Sequence, residues 1–421
     1  MQGEPRFANL GSKEHRHGSA LPRSSARRVR NLAIGYIPYG GADFGEIAAV
    51  ARQVGDGDDA DFYGAWVEAG DRLVAEAETC AAAGHDDSAR ELFLRASAYY
   101  ATAYHPLYGS PVDPRLIAAF DKQVAAFDAG LAIGDTPVKA ARIPFEDTTL
   151  PGYLIPAPGH ESNVRPLIVF TNGYDATITD MFFASAVAAL RRGYHCLLFD
   201  GPGQGEMLYK QNMPMRPDWE VVVRAVIDHA TASPIVDPER IVLSGWSLGG
   251  YLAPRAASGE HRLAAVVADP GQWSVAAGTR ALGAAFGLSP EVLDDPLSMH
   301  TQDADAIMAA VQADPSLRWK LVSRGFWVNG VSDIRELFAA LNEYTLDEVG
   351  ERISCPVVVT AAESDALARG AGTFGDRLGD TVTLIPFTDA EGAGGHCEMG
   401  NRTLLNRRVL DRLDELLART P

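Results

Sequence analysis

Glu239-Arg-Ile-Val-Leu-Ser-Gly245-Trp246-Ser247-Leu248-Gly249-Gly-Tyr251 is the stretch on which the reading of this chain turns. Ile241 to Leu243 is a short apolar run of β type, and a helix-like segment follows Gly249. Strand, tight turn and helix with Gly-x-Ser-x-Gly at the turn is the pattern of a nucleophile elbow. There the serine is held in a strained conformation above a sheet, and the flanking glycines let strand and helix pass closely. With 41 glycines in the chain the pattern alone is weak; its place between a strand and a helix singles out Ser247.

Working outward, strands alternate with helices. Val138 to Phe145 and Gly152 to Ile155 read as two strands around an Asp-Thr-Thr-Leu-Pro turn. Leu167 to Phe170 and Cys196 to Asp200 are the next strands, followed by helices over about Asp180 to Arg192 and Trp219 to Ala232. After the elbow comes Leu263 to Val267, then a helical stretch over 271–350 with no convincing strand. The rhythm resumes at Val357 and Val382 and ends in an amphipathic helix, Leu404 to Leu417. This predicts an α/β fold with a mainly parallel sheet covered on both faces. The expected organisation is a flexible arm over 1–30, a helical cap over 31–135, a core from 136–270 and 351–421, and a helical insertion or lid over 271–350. Extra helices after the sixth strand would lie over the carboxyl ends of the strands, where open α/β sheets bind ligands.

The formal net charge of −18 disfavours nucleic acid and anionic membrane as partners. No apolar run reaches the length of a membrane span, and the first residues lack the shape of a signal peptide, so a cytoplasmic protein is expected. The four cysteines, Cys80, Cys196, Cys355 and Cys397, are far apart and form neither a disulfide framework nor a zinc pattern. No metal and no organic cofactor are expected.

A serine hydroxyl needs a base to take its proton, and the base needs a carboxylate to fix its tautomer. In strand-borne sites of this kind the order along the chain is serine, acid, histidine, each at the carboxyl end of a strand. After the strand Pro356 to Thr360 comes Glu363-Ser364-Asp365; after Val382 to Ile385 comes a Gly-rich loop ending at His396, alone among ten histidines in such a position. Asp365 and His396 therefore fall where acid and base belong. Glu363 is a rival acid expected to point the other way. Asp269 is a second rival, readable as a relocated acid, a substrate contact or a helix cap before Pro270. Two backbone N–H groups should hold a developing oxyanion: that of Leu248, just after the nucleophile, and that of Tyr174 in the loop Thr171-Asn-Gly-Tyr-Asp175. Asp175, Trp246 and Asp269 are further candidates for touching substrate, with a turn role equally open for Asp175.

Four motifs carry a resemblance: Asn172-Gly-Tyr-Asp175, Phe199-Asp-Gly-Pro-Gly-Gln-Gly205, Gly245-Trp-Ser-Leu-Gly-Gly250 and Glu391-Gly-Ala-Gly-Gly-His-Cys-Glu398. The chain resembles the α/β-hydrolase superfamily over 138–420. More narrowly it looks like the group of 2,6-dihydroxypseudooxynicotine hydrolase and the fungal polyketide-shortening hydrolases of the yellowish-green pigment type. The resemblance implies an eight-stranded α/β-hydrolase fold with an N-terminal helical cap, and a triad of Ser247, Asp365 and His396. It implies cleavage of a carbon–carbon bond next to a ketone in a small-molecule substrate, and a homodimer. A carboxylesterase or lactonase with the same triad, an acyltransferase or cyclase, and a non-catalytic small-ligand-binding protein are the alternatives.

Overall fold

The computed structural model describes residues 31–134 and 137–418. The arm expected over 1–30 lies outside the described residues. Eight strands form one sheet: β1 Ala141–Phe145, β2 Thr148–Ile155, β3 Arg165–Thr171, β4 His195–Phe199, β5 Val236–Trp246, β6 Leu263–Asp269, β7 Val357–Ala362 and β8 Val382–Phe387. Their order is β1-β2-β4-β3-β5-β6-β7-β8. β2 runs antiparallel to β1 and β4, and all other neighbours are parallel.

The central strands are apolar on both faces because each face carries its own core. Leu167, Val169, Leu197, Phe199, Ile241 and Leu243 point into one layer; Ile168, Phe170, Cys196, Leu198, Val242 and Val267 point into the other. That is the period of two expected for a sheet covered on both sides. The first hairpin is tighter than the sequence indicated. Its turn is Glu146-Asp147, with Glu146 at φ +48°, and Thr148 to Pro151 belong to β2. The β-branched threonines pair across to β1, which outweighs the turn preference of the Asp-Thr-Thr-Leu-Pro string.

The N-terminal helices Phe44–Val54, Asp59–Ala82, Asp86–Ala103 and Pro114–Ala132 enclose a core of their own around Trp66 and Tyr99. Asp58 caps the second through a reciprocal capping box with Asp61, and Pro114 opens the fourth behind the Asp113 cap. Tyr104, Leu116 and Phe120 then join one sheet layer, while Leu94, Phe127 and Leu131 join the other. Between β6 and β7 the chain is helical, with a single isolated bridge between Ser274 and Thr345. Met299, Ile307, Val311, Leu337 and Phe338 make a separate small core there, and Trp327 and Val328 plug this segment into the main one. Among the described residues no helix is long and apolar enough to cross a membrane, and no group of three or more His, Cys, Asp or Glu side chains is arranged to hold a metal ion.

The last helix, Arg402–Leu417, brings a guanidinium under the sheet's carboxyl end. Arg402 is 2% exposed and donates to Asp269 Oδ2 (2.9 Å), the Cys397 carbonyl (2.7 Å), the Ala184 carbonyl (3.2 Å) and Ser185 Oγ (2.6 Å). Breaking a buried pair from one side strands the other charge at a cost of about 3–5 kcal/mol. Arg402→Met is therefore expected to lower stability by about that amount in urea unfolding, and adding Asp269→Asn should recover part of it. An unmoved unfolding midpoint in the single variant would show that the pair does not hold this end of the sheet.

Candidate active site

The elbow forms where β5 meets the helix Gly249–Ala257. Ser247 takes φ +59°, a left-handed conformation that costs a non-glycine residue roughly 1–3 kcal/mol. Two contacts hold it there: its N–H donates to the Asp269 carbonyl (2.7 Å), and Gln272 Nε2 donates to its own carbonyl (2.6 Å). Strand and helix are so close that a Cβ on Gly245 would lie 1.9 Å from the Gly249 carbonyl oxygen. Only glycine fits there.

His396 and Asp365 arrive from the loops after β8 and β7. Ser364 N–H donates to the Gly394 carbonyl (2.8 Å) and Ser364 Oγ to Asp389 (2.7 Å), which ties the two loops together. Asp365 Oδ1 accepts from Leu367 N–H (3.0 Å), leaving Oδ2 for His396 Nδ1 (2.7 Å). A carboxylate only accepts, so Nδ1 carries the proton and Nε2 is free to accept from Ser247 Oγ at 3.0 Å. The structure thus brings Ser247, His396 and Asp365 into one hydrogen-bonded row. Asp365 is buried, while the His396 side chain keeps 45% of its surface exposed. Burial pulls the His396 pKa down, but the hydrogen bond and charge of Asp365, aided by Asp175 and Asp269, outweigh it and raise it above the ordinary 6.5.

Glu363 faces away, its carboxylate accepting from Asp389 N–H (2.9 Å). The loop after β3 passes directly over the elbow: a Cβ on Gly173 would sit 2.7 Å from Ser247 Cβ and from Leu248 N. This carries Tyr174 beside the serine. Among the described residues no acceptor takes the backbone N–H of Leu248 or of Tyr174, so both donors are available to a ligand.

Two of the residues expected to touch substrate do not face the site. Trp246 is buried on the opposite layer with Ile168 and Phe170, because alternation along β5 turns it away from the serine's side. Asp269 caps no helix. Its carboxylate is buried between Arg402 and Thr360 Oγ1 (3.0 Å), and its contribution to the elbow is a backbone carbonyl. Asp175 does lie in the loop over the serine, paired with Arg324.

Several residues that position this site were not singled out from sequence. Gln204 Nε2 donates to the carbonyls of Asn172 (2.7 Å) and Gly173 (3.1 Å), bracing the loop that bears Tyr174. Asp200 accepts from Asn172 Nδ2 (3.3 Å) and Ile178 N–H (3.1 Å); burial, with the Asp180 and Glu206 charges nearby, pushes its pKa up to about 8. Both lie in the Gly-rich motif after β4, the one signal that could have found them. Glu398 is fully buried next to Cys397, and burial together with the Asp269 charge raises its pKa far enough to keep it protonated. Arg402 carried no sequence signal at all.

The family model for the alpha/beta hydrolase family matches residues 168–404. Hydrolase LUC6 of Fusarium sp is 32% identical over 401 residues, spanning 91% of this chain and 94% of that protein. The 20-hydroxy-prefusarin hydrolase FUS2 of Gibberella moniliformis is 34% identical over 404 residues, spanning 91% and 94%. Among solved structures, 2,6-dihydroxy-pseudo-oxynicotine hydrolase shares the fold with a TM-score of 0.70 at 21% identity, covering 91% of this chain and 94% of that one.

The row has a pH signature. NMR titration should give His396 a pKa above 6.5, and Asp365→Asn should lower it, since the Asp365 hydrogen bond and charge are the largest contributions that oppose burial. Only the neutral ring accepts a proton, so activity should decline as pH falls through the raised value. A wild-type profile with its acid limb at or below 6.5 contradicts the Asp365 contact.

Proposed function

This chain belongs to the alpha/beta hydrolase family and is a hydrolase, and from that premise we propose that it cleaves a carbon–carbon bond next to a ketone in a small, mostly apolar acyl compound. The observation that carries the chemistry is the row Asp365–His396–Ser247, with unpaired N–H groups of Leu248 and Tyr174 beside it. Ser247 Oγ attacks the carbonyl carbon while His396 Nε2 takes its proton and Asp365 stabilises the imidazolium. The carbonyl oxygen becomes an oxyanion facing the N–H groups of Leu248 and Tyr174. Collapse breaks the bond to the neighbouring carbon, which leaves as an enolate and receives the proton from His396. Water, deprotonated by His396, then releases the acid from Ser247, so one water is consumed per bond cleaved.

The substrate class rests on the surroundings and on the motifs. Tyr108, Tyr174, Trp319 and Trp327 gather where the N-terminal helices and the segment between β6 and β7 meet the loop over the serine; Tyr108 lies 6.1 Å from Trp319 and 5.8 Å from Trp327. Tyr108 and Trp327 are buried, whereas Tyr174 and Trp319 are only partly so, and partly buried aromatic rings suit flat, apolar groups. The four motifs resemble those of a group acting on acyl-aromatic and polyketide substrates, and one relative bears the name 20-hydroxy-prefusarin hydrolase.

The deciding experiment is product analysis by mass spectrometry on an aryl 1,3-diketone and the matching aryl ester, with wild type beside Ser247→Ala. Cleavage of the diketone, reduced by about 10³-fold or more in the variant, is the expected result. Cleavage of the ester alone makes the protein an esterase. Equal turnover by both proteins removes Ser247 from the mechanism.

A further inference from the structure

The loop that carries Tyr174 is held from outside the sheet as well as from within. Arg324 belongs to a π-helical stretch, Arg318–Phe326, in the segment between β6 and β7. Its guanidinium forms an ion pair with the Asp175 carboxylate. The same group lies 4.4 Å from the ring centroid of Tyr174 and 4.9 Å from that of Trp319, so Tyr174 and Arg324 are stacked as well as linked. Asn329, five residues on, donates to the Tyr174 hydroxyl (2.5 Å) and to the Gly325 carbonyl (2.8 Å). From the other side the Tyr108 hydroxyl donates to the Asp175 carbonyl (2.8 Å). Within five residues of loop, both side chains that follow Gly173 are gripped by a segment about 150 residues away in sequence.

We propose that Arg324 is a positioning residue for the oxyanion site, latching the segment between β6 and β7 onto the loop so that the Tyr174 N–H is correctly aimed only when that segment is docked. The proposal rests on the reading of Tyr174 as an oxyanion donor given above. A peptide N–H has no side chain of its own to orient it; its direction is set by the residues on either side. Gly173 is fixed by its contact with the elbow and by Gln204, whereas Tyr174 and Asp175 are fixed by Arg324 and Asn329. Loss of the latch frees one side of that peptide while leaving Ser247, His396 and Asp365 in place. Planarity matters as much as charge: a guanidinium can pair with Asp175 and lie on the Tyr174 ring at once, and an ammonium cannot do both as well. A π-helical stretch is a fitting place for such a group, since these irregular turns recur at functional sites.

The test uses an aryl trifluoromethyl ketone, which adds to a serine to form a tetrahedral oxyanion, beside an aryl ester as substrate. In Arg324→Gln, and to a smaller extent in Arg324→Lys and Asp175→Asn, ketone affinity and kcat should fall together by about 10–100-fold. KM for the ester should stay within about threefold, because ground-state binding does not use the oxyanion donors. Hydrogen exchange at residues 172–176 should quicken in the variants, while exchange in the strands does not change. Ketone affinity and kcat within about twofold of wild type in folded Arg324→Gln and Asp175→Asn overturn the latch. A wild-type adduct that persists in Ser247→Ala, or no wild-type adduct, fails at the earlier step: it removes the oxyanion site itself and the positioning role with it.

Discussion

The buried pair between Arg402 and Asp269 ties together the tip of β6, the loop after His396 and the helix after β3. Taking an arginine out of water costs several kcal/mol per ion unless its donors are satisfied. Here four acceptors surround the guanidinium, drawn from the tip of β6, the loop after His396 and the helix after β3. Asp269 in turn holds Ser247 N–H through its carbonyl and accepts from Thr360 on β7. Serine and histidine are delivered by different loops, and this ion pair, with the Arg402 contact to the Cys397 carbonyl, links their supports. The strained backbone at Ser247, Cys397 and Glu398, all at positive φ, lies close around it. Strain of that kind persists only where the surroundings over-determine the conformation.

What the sequence disclosed and what it hid divide along a physical line. The central strands β3, β4, β6 and β7 were legible because each is built on a short apolar run, and the elbow because its glycines are demanded by contacts a few residues apart. His396 and Asp365 followed from chain order alone. Trp246 adjoins Ser247 in sequence yet lies on the other side of the sheet, because neighbouring strand residues face opposite layers. The role of Asp269 stayed open among three readings because its partner, Arg402, comes 133 residues later on a helix with no motif. The Arg324–Asp175 contact spans 149 residues and was invisible for the same reason. Long-range polar pairs leave no periodic trace; only local geometry and apolar spacing do.

The loop after β3 is the meeting point of three regions. The sheet sets its start, the N-terminal helices reach it through Tyr108, and the segment between β6 and β7 reaches it through Arg324 and Asn329. The backbone that bears the Tyr174 N–H is therefore held by contacts from all three.

The segment between β6 and β7 has its own small hydrophobic core around Phe338 and Leu337, and enters the main core at its two ends through Trp273, Tyr344 and Leu346 and in its middle through Trp327 and Val328. The helices around Phe338 thus pack mainly on one another. Mutations that reshape the helices around Phe338 load that small core before they load the sheet. For evolution or an engineer this makes the segment a cassette. New walls for new substrates can be tried there, provided Arg324 and the Trp327 anchor travel with them.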